Sequence, residues 1–143
     1  ASFEIGCHSM THLYLSDLTE PELKREIVDA KLQIEQIVGH RIGHFSCPGG
    51  RFDRRTLDMA RRAGFQTVAN SLFHANSAHT GGYDLGRIAI LRDLPLAEFS
   101  ATCHGRGLWK KRTFDGARRT AQRFLGNRAY DRLRATVLGE SER

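Results

Sequence analysis

No stretch of this sequence approaches the ~18 consecutive apolar residues that would span a bilayer. No Cys-x-x-Cys occurs, which excludes a zinc ribbon and a thioredoxin-type redox motif. The three cysteines, Cys7, Cys47 and Cys103, cannot all pair within one chain and read as free thiols, the state kept by a reducing compartment. His-Glu-x-x-His is also missing, so the zinc-protease helix is excluded. Residues 1–5 carry neither a basic leader nor an apolar signal core. There is no internal repeat, low-complexity tract or linker to a second domain.

What is present suits one hydrophobic core. The chain has 143 residues, and 40% apolar content with 27% charge argues against wholesale disorder. The net charge of +6 is unevenly placed: ten Lys and Arg against two Asp put residues 106–134 at +8 and leave the remainder at −2. A solvated helix face is the ordinary reading of such a segment. Nucleic acid, an anionic membrane surface or a phosphorylated carrier are partners it would meet. Nucleic acid fits worst, because the expected helices show no interleaved exposed aromatics and no binding motif.

Residues 3–7 alternate apolar with polar or small residues and read as a strand entered directly at the N-terminus, as expected of a chain cut from a longer one. Thr19-Glu20-Pro21-Glu22 then combines an N-cap, a first-turn proline and a capping-box glutamate. Leu23, Ile27, Ala30, Ile34 and Ile37 or Val38 recur on one helical face until Gly39 stops it. Residues 42–46 predict a second strand, running into the turn Cys47-Pro48-Gly49-Gly50. Asp53 caps a helix that turns Leu57, Ala60 and Ala63 inward and ends at Gly64. Residues 65–69 predict a third strand and 87–91 a fourth, separated by a polar loop over 70–86. This alternation implies parallel strands with helical crossovers. Helices follow from Pro95, at about 113–125 and at 128–137, with Asn127 as a cap between the last two. Leu108, Phe114, Ala117, Ala121, Phe124, Tyr130 and Leu133 would face the body and the arginines solvent.

The feature that points to chemistry is His8-Ser9-Met10-Thr11-His12, placed where the first strand ends. Parallel α/β folds put their active sites at the C-terminal ends of strands. Two imidazoles four apart converge on one ion if the backbone turns helically, and imidazole suits zinc and its neighbours. Seven histidines in this length make the spacing alone common, so position carries the argument. His40 and His44 flank a strand and read as structural or exposed, while His74 and His79 lie in the polar loop and are better placed for substrate contact.

Gly6-Cys7-His8-Ser9-Met10-Thr11-His12 resembles the second motif of the polysaccharide deacetylase family, carbohydrate esterase family 4: His-Ser/Thr-x-x-His after a strand. The likeness continues through Leu18-Thr19, the amphipathic helix, Gly39 and Phe45 to Phe45-Ser46-Cys47-Pro48-Gly49-Gly50, where the family commonly has Phe-Arg-x-Pro-x-Gly. It covers residues 3–70 well and the rest loosely. The resemblance implies that His8 and His12 bind a divalent metal, zinc being the expected one. It implies that Gly49 supplies an oxyanion-hole amide, and that Cys47, Pro48 and Gly50 shape the substrate turn. The family's Thr-Phe-Asp-Asp motif, source of the general base and the acidic ligand, does not occur in this sequence. Ser46 replaces the arginine that orients the base, with Arg51 a candidate to reach inward instead. No clear Leu-x-His motif follows, and His104 is a candidate acid.

The expected fold is therefore α/β: a partial, distorted (β/α) barrel with parallel strands over residues 1–105 and a basic helical appendage over 106–143. The expected activity is metal-dependent hydrolysis of the N-acetyl amide of an amino sugar in a polysaccharide or its glycolipid precursor. The alternatives are a degenerate deacetylase-like domain that binds glycan or metal, and a basic nucleic-acid-binding protein. Partners would be the N-acetylated sugar, a membrane surface met by the basic helices and a second copy of the chain, with no nucleic acid. A bacterial cytoplasm or cell envelope is the favoured setting.

Overall fold

The computed structural model describes residues 3–138. Helix α1 (Glu20–Lys24), a wider π-type turn (Arg25–Asp29) and α2 (Ala30–Val38) run on as one rod. Its start follows from local chemistry: the Thr19 amide donates to Glu22 Oε2 at 2.7 Å, and Pro21 sits where a helix has no use for an N–H. Gly39, at φ 75°, ends it in the left-handed conformation. Leu23, Ile27 and Ala30 are buried on one face, and full burial of a Leu or Ile side chain is worth roughly 1.5–3 kcal/mol.

Strand β1 (His44–Ser46) leads through a tight turn (Pro48–Gly50) into α3 (Arg54–Arg62), and then β2 (Thr67–Ala69) pairs parallel to β1 with Phe45 opposite Val68. Asp53 caps α3 by accepting the Thr56 amide at 2.9 Å. Cys7 bridges Phe45 on the outer side of β1, and Leu85 bridges Ala69 on the outer side of β2. Four parallel rows thus stand in chain order. The buried core includes Leu15, Leu23, Ile27, Phe45, Phe65 and Val68, with the Phe45 and Phe65 rings 5.2 Å apart.

Several expectations are corrected. The predicted first strand is reduced to the single bridge at Cys7, and no strand forms over 87–91. The fourth row is Leu85, inside the predicted loop. The buried Asn70 side chain donates to Asp84 at 2.9 Å and its backbone amide to the Leu85 carbonyl at 2.8 Å, so pairing is captured there. Ile90 and Leu91 are left exposed. The described residues form a helix-rich α/β structure with a small parallel sheet, and no barrel is formed among them.

The chain closes with α4 (Leu96–Cys103), α5 (Leu108–Leu125) and α6 (Asn127–Leu138). Here the expected facing is corrected in part: Leu108, Ala121 and Tyr130 are half-buried, but Phe114, Ala117, Phe124 and Leu133 are exposed. Among the described side chains of α5, Asp115 and Gln122, seven apart, are the buried ones, whereas Phe114 and Phe124 are 77% and 83% exposed. Asp115 pairs with Arg118 on the same helix, and Asp131 of α6 takes both terminal nitrogens of Arg51, at 3.0 and 2.5 Å. Asn127 does not cap α6; its amide donates to Ser16 and Asp17. None of the helices among the described residues is long and apolar enough to cross a membrane.

Candidate functional site

His8 follows directly on the Cys7 row, and its Nδ1 lies 2.7 Å from the Ser46 carbonyl. A carbonyl only accepts, so Nδ1 carries a proton; in the neutral ring this leaves the Nε2 lone pair free, the arrangement common in metal-binding imidazoles. His12 comes back beside it, with ring centroids 4.9 Å apart and planes at 68°. The convergence is not helical, as the spacing had suggested. Ser9 and His12 adopt φ of 65° and 63°, left-handed values uncommon for side-chain-bearing residues, and the His12 amide donates to Ser9 Oγ at 3.0 Å.

What holds this turn is Glu26, on the π-type segment and 3% exposed. Its Oε2 accepts the Met10 and Thr11 amides at 2.9 and 2.8 Å, and its Oε1 accepts the Thr11 hydroxyl at 2.6 Å. Burial raises its pKa, but the hydrogen bonds from Thr11, Met10 and Ser9 outweigh that and hold the carboxyl below its ordinary value. Glu26 was not singled out from the sequence. The signal was there: it lies three residues after Leu23 on the face that Ile27 and Ala30 bury.

The second component is the turn after β1. Gly49 has φ 57°, and a Cβ there would lie 2.9 Å from the Tyr14 ring; one on Gly50, at φ 65°, would lie 2.3 Å from Ser71 Cβ. Glycine is required at both. Cys47 and Pro48 are fully buried, and burial pushes the Cys47 thiol up to about 12. Their side chains therefore belong to the core, leaving only backbone for a substrate. Arg51 does not replace the missing arginine beside the histidines. It stacks over Tyr14 at 3.9 Å while gripping Asp131. Beyond the turn, Gly49, Gly50, Arg51, Ser71, Asp115 and Gln122 are among the residues around a cavity of about 660 Å³, within the size range of small-molecule sites.

His40, His44, His74 and His104 are engaged elsewhere. His44 joins Glu4 and Thr67 at 2.8 and 2.7 Å, at the opposite ends of the strands from His8. His104 gives Nδ1 to the Ser100 carbonyl at 2.7 Å. His74 ends Leu72-Phe73-His74, a Leu-x-His spacing overlooked in the sequence, and its Nε2 contacts the Asp84 carbonyl at 3.1 Å. Among the described residues no group of three or more His, Cys, Asp or Glu is arranged to hold a metal. His8 and His12 have the donor type for a divalent transition metal, and as a set they supply two ligands.

A polysaccharide deacetylase family model matches residues 1–68. Within the curated proteins, a peptidoglycan-N-acetylglucosamine deacetylase of Bacillus cereus is 38% identical over 65 residues, covering 46% of this chain and 30% of its own length. Among solved structures, the Streptococcus pyogenes deacetylase PplD in complex with acetate superposes with a TM-score of 0.61 at 23% identity. It covers 68% of this chain and 43% of its own. A polysaccharide deacetylase from Bacillus cereus, BC0361, gives 0.59 at 16%, covering 70% of this chain and 32% of its own. These two share the fold. The chain spans less than half the length of each of these relatives. The deacetylase-family segment contains both histidines, Glu26 and the Pro48–Gly50 turn, whereas α4, α5 and α6 lie outside it.

Proposed function

We propose that this chain is part of a hydrolase that removes the N-acetyl group from an amino sugar in a polysaccharide or its glycolipid precursor. The observation that carries the reading is the pairing of His8 with His12 at the end of the sheet, His8 being fixed to the strand that enters the Pro48–Gly50 turn. His8 and His12 would hold a divalent metal, with zinc the ion that best matches imidazole donors. Such an ion, when bound, supplies Lewis acidity at the acetyl carbonyl and the attacking water. The Gly49 amide would stabilise the developing oxyanion, with Pro48 and Gly50 fixing its direction and Cys47 contributing backbone alone. Hydrolysis adds one water, breaks the C–N bond and releases acetate and the free amine.

The test is acetate release from a chito-oligosaccharide with zinc present, for the unsubstituted chain, His8→Ala and His12→Ala. Histidine-dependent release supports the proposal; release unchanged by both substitutions overturns it. A second reading is a catalytically degenerate glycan- or metal-binding domain. Ser46 in place of arginine favours it. Oligosaccharide binding without acetate release would select that reading. For partners, the exposed Trp109, Phe114 and Phe124 of α5 beside its basic residues favour an anionic membrane surface. Self-association through the same face is the competing outcome.

A further inference from the structure

The geometry points to Glu26 as the positioning residue that sets the spacing between His8 and His12. The turn joining the histidines contains two left-handed residues, Ser9 and His12, and that region is costly for non-glycine residues to hold. Between them lie Met10 and Thr11, and the Glu26 carboxylate takes both of their amides and the Thr11 hydroxyl. The carboxylate thus reaches the short segment between the two rings from a helix packed into the core. These bonds go to the segment between the rings and not to the imidazoles, so the influence of Glu26 on the histidines passes through the turn. A carboxylate buried on the Leu23–Ile27 face is expensive to desolvate, and its retention is explained if three charge-assisted hydrogen bonds define one shape for the turn. The inference rests on His8 and His12 being metal ligands, but its first consequence, the shape of the turn, is measurable without metal.

The test uses the whole chain and zinc alone as the probe, with Glu26→Ala and Glu26→Gln compared to the unsubstituted protein. Gln can present one oxygen to both amides and its NH₂ to the Thr11 hydroxyl, which then accepts. Hydrogen exchange at Met10 and Thr11 should accelerate in Glu26→Ala relative to the core amide of Val68, and much less in Glu26→Gln. Zinc affinity by titration calorimetry should fall about ten- to a hundred-fold in Glu26→Ala, as for residues that orient ligands. In Glu26→Gln it should stay within about three-fold of the original, on the same reasoning. A folded Glu26→Ala with unchanged exchange at Met10 and Thr11 overturns the inference. So does a Glu26→Gln whose exchange and affinity change as much as those of Glu26→Ala, since charge and not position would then matter. If the unsubstituted chain takes up no zinc, the metal reading fails while the exchange measurement still decides the role of Glu26.

Discussion

His8 gives its Nδ1 proton to the main-chain carbonyl of Ser46, 2.7 Å away. Because the acceptor is backbone, the Ser46 side chain takes no part in fixing the tautomer. Its hydroxyl is buried and has no hydrogen-bond partner among the described residues.

Ser46→Ala should therefore leave zinc uptake unchanged and stabilise the protein slightly. An unsatisfied buried hydroxyl costs about 1–3 kcal/mol, of which a modest part is recovered after the loss of packing. Urea unfolding should show a gain of up to about 1 kcal/mol on that basis; a clear loss would mean that the hydroxyl is paired in solution.

Gly50→Ala and Gly39→Ala separate two costs. Both glycines have positive φ, but a Cβ at Gly39 meets nothing within 4 Å, whereas one at Gly50 meets Ser71 at 2.3 Å. Gly39→Ala should cost about 1 kcal/mol, from the backbone alone. Gly50→Ala adds a steric term and should cost about 3 kcal/mol. Equal losses on denaturation would contradict the tight turn.

Asp53 gives a pH signature. Burial raises its pKa, but the Thr56 amide, the Arg55 guanidinium and the Thr56 hydroxyl together bring it below the ordinary value. A depressed folded pKa contributes stability above the unfolded value, about 3.9, and that contribution is lost as pH falls through the folded pKa. Asp53→Ala should cost about 1 kcal/mol near neutrality. The gap from the unsubstituted protein should close as the pH drops below 4, as followed by thermal melts at stepped pH.

The thiols should divide by burial. Cys7 and Cys47 are buried, with burial raising both pKa values, whereas Cys103 is exposed. A thiol reagent at pH 8 should titrate one cysteine in the folded protein and all three in urea. Rapid reaction of Cys47 in the native state would show that the turn opens readily.

Trp109, the single tryptophan, is 66% exposed on α5 and reports on that face. Anionic vesicles should shift its emission to the blue, neutral vesicles should not, and salt should reverse the effect. A shift that depends on protein concentration, without lipid, would indicate self-association instead.

What the sequence made legible is what is decided locally. Thr19, Glu22 and Gly39 bound the helical rod, and Asp53 and Gly64 bound α3, because caps act within one turn of chain. His8 and His12 were found from their place after the first row. The fourth row was misplaced because Asn70 and Asp84, fourteen residues apart, settle it through a contact that no periodicity announces. The facing of Phe114 and Phe124 on α5 was misjudged because an apolar stripe does not say which side of a helix docks. Glu26 escaped notice because a helical glutamate ordinarily faces water.

Arg51 lies next to Gly50, and its guanidinium touches the Tyr14 ring on one side and the Asp131 carboxylate on the other. One side chain thereby works as a rivet through three leaves: the loop before α1, the Pro48–Gly50 turn and the last helix. Seating of α6 and the shape of the turn then share a free energy, and whatever tightens one must tighten the other. The helices outside the deacetylase-family segment are, on this account, a strut against which the turn is held.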